Sequence, residues 1–396
     1  MEQFNFPNGL KIKRIEPMVL RLESVGHPKG RNTAHVRVET EEGIIGWGEA
    51  GVRFAAPVCA AIESYATTYG KEMVGRSAWE VGRLLWLDSR NREGTPIDYT
   101  HGSVTQAARS AIDIALWDII GKKLNVPVYA LLGGKVHKRV RIYQHPFGAN
   151  PDFDNPESFK EWTRQLVEIG ITAGKLNPFR ASMRPDSYGD LRELSIEQLE
   201  FATNVIQAIR EGGGPKFTIM VECHARFNVA SAIRIAEALK PFNPFWIEEP
   251  VPPGNVSAMR EVQRATNIPI ATGERIRNTE EYVPLLTEHA CRILQPDIGH
   301  MGGITNLKKV ADMADNFYVS IAPHGPFGPV TVMASAHVAA TIPNFLIQET
   351  TMGTLKAFKE LVVGYEYDPQ YIELPEAPGL GLEISDEFVR AHRVSE

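Results

Sequence analysis

The sequence predicts an α/β chain: a (β/α)8-type barrel with an N-terminal α+β domain in front of it. Two observations carry this. Six titratable residues, Glu222, Glu248, Glu274, Asp297, His324 and Glu349, each close a short apolar run, at intervals of 26, 26, 23, 27 and 25 residues. Such an interval holds one strand, one helix and two short loops. Before residue 138 the pattern changes to alternation followed by helical spacing, which is the mark of a separate domain.

In chain order, residues 12–23 and 35–40 alternate, and the turn Glu41-Glu-Gly43 leads into Ile44-Ile-Gly-Trp-Gly-Glu49, which fits an antiparallel meander. Helical spacing follows over residues 56–70, 78–90 and 105–124. The last stretch stops at Asn125-Val-Pro127 with Lys122 and Lys123 in its final turn. Residues 1–137 thus form the first domain, with a hinge expected at Leu131-Leu-Gly-Gly-Lys135.

The barrel is assigned to residues 138–365. Its strands are expected at 140–145, 171–177, 217–222, 244–248, 268–274, 292–297, 319–324 and 345–349, runs that are apolar and partly β-branched, as parallel strands buried on both faces require. Between them apolar residues recur at three and four, as over 231–239 and 307–314. The gap between the second and third strands roughly doubles and contains the polar segment 180–189, expected as an insertion at the barrel mouth. Residues 366–396, with Pro378-Gly-Leu-Gly-Leu-Glu383, fall outside the count and are expected to pack back on the first domain.

Composition narrows the function classes. A 396-residue chain with 43% hydrophobic residues, net charge −6 and pI near 6.0 has room for two domains and no excess of cations to attract nucleic acid. No apolar stretch approaches bilayer length, and Met1-Glu-Gln-Phe-Asn-Phe-Pro7 lacks the basic and apolar regions of a signal peptide, so a cytoplasmic location is expected. Cys59, Cys223 and Cys291 lack metal-type spacing and are expected as core thiols.

In a (β/α)8 barrel the C-terminal strand ends share one mouth, so Glu222, Glu248 and Glu274 converge and repel unless a cation sits among them. Oxygen-only ligands favour a hard divalent ion, Mg²⁺ first. Taken singly, each acid could instead cap the following helix; three in register, all Glu, argue against that, because Glu is a poor N-cap. Asp297 and His324 fall on neighbouring strands, which lets the carboxylate orient the imidazole as a general base. Glu222 and His224 alternate and should face the same way, placing a second acid/base group beside the metal.

Trp246-Ile-Glu-Glu-Pro250, Gly273-Glu-Arg275, Leu294-Gln-Pro-Asp297 with Gly302-Gly303, Ala322-Pro-His324 and Gln348-Glu349 resemble the enolase superfamily, mandelate racemase subgroup. Gly46-Trp-Gly-Glu49, Ala111-Ile-Asp-Ile-Ala-Leu-Trp-Asp118 and Leu131-Leu-Gly-Gly134 resemble that family's capping domain, so the resemblance covers nearly the whole chain. It implies Mg²⁺ on Glu222, Glu248 and Glu274, removal of the proton α to a substrate carboxylate, and an enediolate whose charge the metal and fixed donors meet. Lys175 and Glu349 would be partners of the carboxylate oxygens, with the alternative that Lys175 merely balances the acidic ring.

The family's racemases carry Lys-x-Lys on the second strand, whereas this chain has Lys175-Leu-Asn177, and Asn177 cannot serve as the second base. His224 matches the general acid of galactonate dehydratases. The implied reaction is a one-sided elimination from a sugar acid: His324, oriented by Asp297, takes the C2 proton, and His224 protonates the departing C3 hydroxyl, giving a 2-keto-3-deoxy acid. The protonation states of the two imidazoles would be set apart by the metal near His224 and by Asp297 near His324. Lys175, Asn177, His145 and His300 are placed around the substrate, with the alternative that His145 and His300 only satisfy loop carbonyls. The galactonate pattern has Asp where this chain has Glu222, while Glu222-Cys-His-Ala-Arg-Phe-Asn228 matches some gluconate dehydratases, so D-gluconate is the alternative to D-galactonate. A 2-hydroxy-acid racemase or epimerase with His224 as second base, and a noncatalytic acid-binding barrel, are further alternatives. A lid at Ser24-Val-Gly-His-Pro-Lys-Gly-Arg-Asn-Thr33 would set specificity through His27, Lys29 or Arg31. The family also implies a homo-oligomer, an octamer or a smaller ring.

Overall fold

The computed structural model describes residues 9–22, 31–51, 54–67, 73–88, 102–145, 151–179, 192–366 and 368–394. His27 and Lys29 of the expected lid, and the whole expected insertion 180–189, lie outside the described residues.

Strands β1 (Ile12–Leu22), β2 (Arg31–Thr40) and β3 (Ile45–Ala50) form an antiparallel meander in that order, with Ile15 opposite Val38 and Glu39 opposite Ile45. Helices α1 (Ala55–Thr67), α2 (Val81–Asp88), α3 (Ser103–Leu124) and α4 (Val128–Leu131) follow. The long α3 is buried on most of its circumference, because one face covers the meander and another faces the barrel. It stops at Asn125, which takes the left-handed conformation expected after a helix C-terminus. Just after the expected hinge, the amides of Val136 and His137 both donate to the Ala340 carbonyl, and Lys135 at its end pairs with Glu376 at 2.6 Å.

The barrel runs β4 (Val140–His145), α5 (Pro156–Glu168), β5 (Ala173–Leu176), α6 (Ile196–Gly213), β6 (Thr218–Glu222), α7 (Val229–Leu239), β7 (Trp246–Glu248), α8 (Val256–Ala265), β8 (Ile270–Thr272), α9 (Tyr282–Thr287), β9 (Ile293–Leu294), α10 (Gly303–Asp315), β10 (Ser320–Ile321), α11 (Pro329–Ala339), β11 (Gln348–Thr351) and α12 (Met352–Leu361). The strands pair in parallel in chain order, and β11 returns to β4. The remaining seam is closed by Ile321 N donating to Asn344 O and Leu346 N to Ile321 O, each at 2.9 Å. β12 (Tyr371–Ile372) adds to β4 antiparallel, and α13 (Asp386–His392) brings the chain back to β1, where Val394 N donates to Val19 O.

One apolar residue from or next to each barrel strand plugs the interior: Tyr143, Ala173, Met220, Trp246, Ala271, Ile293, Ala322 and Ile347. Large and small members alternate in part, and the Tyr143 and Trp246 rings meet edge to face at 5.5 Å. Strand side chains alternate with period two, so residues two positions further on form the next inward layer. Counting on from the plug gives His145, Lys175, Glu222, Glu248, Gly273, Gln295, His324 and Glu349. The apolar plug is thus the floor of the polar mouth. Glu274 and Asp297 depart from this layer, although their cadence in the sequence puts all six titratable groups at one level. Glu274 follows Gly273, whose φ of 131° turns the chain, and Asp297 stands one layer higher, bridged in parallel to His324.

Candidate active site

Glu222, Glu248 and Glu274 each offer a carboxylate oxygen within 4.8 Å of the others, and all three are buried. Lys175, also buried, lies 2.6 Å from Glu248 Oε1, 3.3 Å from Glu349 Oε1 and 3.5 Å from Glu222 Oε2. Glu248 is further fixed through Oε2, which accepts from Trp246 Nε1 at 3.0 Å and Gln295 Nε2 at 2.5 Å. Burial works against its charge, but the Lys175 ammonium together with hydrogen bonds from Glu222 and Gln295 outweighs it and holds Glu248 below the usual carboxylate value. Glu222 is driven well upward by burial and by the neighbouring charge of Glu248. Lys175 stays charged: burial opposes this, and the Glu248 and Glu349 carboxylates override it.

On the far side of the ring, His324 Nδ1 lies 2.5 Å from Asp297 Oδ2, while Asp297 Oδ1 accepts from Gly299 N at 2.8 Å. The carboxylate is thereby oriented and in turn orients the imidazole. His324 Nε2 stands 3.0 Å from Glu274 Oε2 and 3.7 Å from Glu349 Oε2. Burial disfavours the imidazolium, yet the charges of Glu274 and Glu349 and the bond to Asp297 raise His324 well above its ordinary value. Burial raises Glu349, against the opposing pull of Lys175 and His324.

Four strands round, His224 follows β6. Its φ of 54° and that of Ala225 at 57° are left-handed, a strain of about 1–3 kcal/mol per residue. The loop is held there by main-chain bonds to the next strand end: Cys223 N donates to Glu248 O and Ala225 N to Glu249 O. The His224 amide donates to Glu222 Oε1 at 2.5 Å. Asn177, placed around the substrate by the sequence, is engaged elsewhere: its Oδ1 accepts from Phe179 N at 2.9 Å and its Nδ2 lies 2.5 Å from His224 Nδ1. With the oxygen fixed by Phe179, the amide donates to Nδ1, and the hydrogen of a neutral His224 ring sits on Nε2. Burial holds that ring neutral, down to about 4.

The two imidazoles are therefore set apart, with Asp297 contributing on the side of His324 as expected. Asn177 and burial keep His224 neutral, and Glu274 more than Asp297 keeps His324 charged. Glu274 Oε2 faces His324 Nε2 and supports the imidazolium.

His300 takes the second of its two expected uses: Nδ1 lies 2.8 Å from Gly51 O and Nε2 2.7 Å from Glu274 O, which ties the first domain to the loop after β8. Burial keeps the ring neutral, so its single N–H can donate to only one of these carbonyls. His145 occupies the polar layer at the end of β4 and is buried. Arg31, from the expected lid, opens β2 and places its guanidinium 5.5 Å from the centre of the Phe327 ring, which packs 6.0 Å from the His324 ring.

Sequence reasoning passed over Gln295, Arg275 and Glu249. Arg275 Nε donates to buried Glu249 at 2.6 Å while its terminal nitrogen reaches Glu274 Oε1 at 2.9 Å. The motifs containing these residues were visible, but Gln295 meets Glu248 from two strands away, and Arg275 meets Glu249 from the next strand end.

The donor set suits a hard divalent cation. Six buried carboxylates, Glu222, Glu248, Glu249, Glu274, Asp297 and Glu349, face three cations, Lys175, Arg275 and His324, so full ionisation leaves a net charge of −3 among oxygen ligands.

Residues 11–133 match the family model for the mandelate racemase / muconate lactonizing enzyme N-terminal domain, and residues 158–388 match the enolase C-terminal domain-like model. The chain is 30% identical to a D-gluconate dehydratase of Thermoproteus tenax over 386 residues, 96% of this chain and 74% of that protein. It is 32% identical to a D-galactonate dehydratase of Variovorax paradoxus over 361 residues, 89% of each. The crystal structure of a mandelate racemase/muconate lactonizing enzyme from Sulfitobacter sp. superposes with a TM-score of 0.86 at 33% identity, covering 98% of this chain and 96% of that one.

Proposed function

Because the chain belongs to the mandelate racemase / muconate lactonizing enzyme family of the enolase superfamily, we propose that it is a Mg²⁺-dependent dehydratase of D-galactonate, yielding the 2-keto-3-deoxy acid. The family and its dehydratase relatives make it a hydro-lyase, and enzymes of this superfamily use a divalent metal.

One observation carries the reading: acid/base groups of unequal kind face each other across the barrel mouth. On one side the Asp297–His324 pair supplies a base; on the other, the position of a racemase's second lysine is taken by Asn177, whose amide holds His224. One base and one hydrogen donor suit elimination better than inversion.

Glu222, Glu248 and Glu274 would hold the cation, which supplies positive charge opposite the substrate carboxylate. A cation drawing on the charge of Glu274 would weaken its support of the His324 imidazolium, and His324 Nε2 in its neutral form takes the C2 proton. Lys175 meets the charge that grows on the carboxylate oxygens, with Glu349 as their hydrogen-bonding partner. The C3–O bond breaks as Nε2–H of His224 passes its hydrogen to the departing hydroxyl, which leaves as water. A neutral imidazole can act as such a donor. The enol product tautomerises to the 2-keto-3-deoxy acid.

D-gluconate is the second reading, supported by Glu222-Cys-His-Ala-Arg-Phe-Asn228 and by the gluconate dehydratase relative. The test is a screen of purified protein with Mg²⁺ against a stereochemically complete set of C5 and C6 aldonates and aldarates, reading 2-keto-3-deoxy acid. Turnover of D-galactonate, abolished by EDTA and by His324→Asn, is expected. Proton exchange at C2 in deuterated water without loss of water would replace the dehydratase with a racemase or epimerase. Silence on every substrate with metal bound would overturn the aldonate reading.

A further inference from the structure

The helices that follow the barrel strands differ in how their first turns are satisfied. Helices α5, α6, α7, α8 and α12 are capped by their own Asn155, Ser195, Asn228, Asn255 and Thr351, whose side chains accept a first-turn amide. Helices α10 and α11 have glycine at the N-cap, Gly302 and Gly328, and no side-chain cap of their own. These two follow the loops that carry Asp297 and His324.

Their caps come from the other domain. Glu49, at the end of β3, accepts from Gly328 N at 2.8 Å and from Val330 N and Thr331 N at 3.1 Å. Asp113, on α3, accepts from Thr305 N at 3.1 Å and Thr305 Oγ1 at 2.5 Å. The second and third helical amides of α11, and the third of α10, are ones that an N-cap side chain would satisfy. The glycines make room: a Cβ on Gly328 would lie 2.2 Å from Glu49 Oε1, and one on Gly303 2.2 Å from Asp113 Oδ2. Both carboxylates are buried. Ser110, one turn before Asp113, adds a bond from Gly302 N at 2.8 Å, and Gly51 N donates to Gly299 O at 2.8 Å.

We infer that Glu49 and Asp113 are positioning residues for the Asp297–His324 pair: the first domain caps the two barrel helices whose preceding loops hold the base and its orienting carboxylate, and so sets their separation. The first domain then acts on the chemical step as well as on substrate choice. Cutting either cap frees the start of one helix, and the adjoining loop moves relative to the other.

This inference rests on the proposed role of His324 as base, so its test includes a readout that needs no turnover. In the full-length, Mg²⁺-loaded protein, ¹⁵N-histidine NMR follows the imidazole N–H bonded to Asp297, assigned by its loss in His324→Asn. Glu49→Gln and Asp113→Asn are expected to shift and broaden that resonance. On whichever aldonate is turned over, they lower kcat about tenfold to a hundredfold, as misplacement of a catalytic group does, while KM stays within about threefold. Asn255→Ala removes the cap of α8, which follows neither loop, and should leave both readouts unchanged. Should Glu49→Gln not fold, Glu49→Asp keeps the charge but shortens the reach and is expected to give the same shift. Folded variants with an unmoved His324 resonance and unchanged kcat would overturn the inference and leave the two carboxylates as struts between domains. Equal effects from Asn255→Ala would likewise overturn it.

Discussion

The Lys175 ammonium lies 2.6 Å from Glu248 Oε1 at the floor of the barrel mouth, and it reaches Glu349 and Glu222 from the same place. One cation thus holds three carboxylates from three strands. Removing one member of a buried charge network leaves the others uncompensated, at a cost of roughly 3–5 kcal/mol. Lys175→Met should lose stability on that scale in EDTA and recover part of it in Mg²⁺, as read by urea denaturation. Equal midpoints for variant and parent in EDTA would mean that the carboxylates are protonated and need no counter-charge.

Metal binding should itself be visible as stability. A ligand that binds only the folded state adds about 2.7 kcal/mol at a hundred times its Kd. Titrating Mg²⁺ into EDTA-treated protein should raise the thermal midpoint, and Glu248→Gln should abolish the rise while leaving the protein folded. An unchanged response in that variant would place the cation elsewhere.

Asp297→Asn keeps the size of the side chain but not the charge that orients and supports His324. The rate should fall by about 10²–10⁴, with KM little changed, in steady-state assays on the aldonate found by the screen. A loss confined to KM would instead make Asp297 a substrate contact.

Burial pushes the Glu49 carboxyl up to about 7, although three main-chain amides and the Thr331 hydroxyl pull the other way. Between about pH 4.5 and 7 the folded chain therefore keeps a proton that the unfolded chain has released. The stability this group contributes is complete below the lower value and is lost as pH rises through 7, a change of about 3 kcal/mol. His35, 3.9 Å away, is held down to about 4 by its burial and so stays neutral across this window. The stability of the parent relative to Glu49→Gln should accordingly be greater at pH 5 than at pH 8 in urea unfolding. A difference independent of pH would show that the amides keep Glu49 ionised in the folded state.

Strand spacing alone located the barrel, because every interval between Glu222 and Glu349 has to hold a strand and a helix, and β-branched apolar runs ending in charge admit few other folds. The carboxylate triad and the Asp297–His324 pair were legible for the same reason: residues at corresponding strand ends must converge once the sheet closes. What the tertiary structure decided depends on contacts between elements that no local pattern encodes. Gly273 turns Glu274 into the ring from outside the layer that holds Glu222 and Glu248. Asn177 donates to an imidazole 47 residues away, and His300 stands between two carbonyls, one of them in the other domain. The fourth residue of Gly46-Trp-Gly-Glu49 was visible in the sequence, but its partners lie 279 to 282 residues further on, at the start of α11. Amphipathic periodicity records only which side of an element is apolar. Which carboxylate meets which amide is settled when the first domain seats on the barrel.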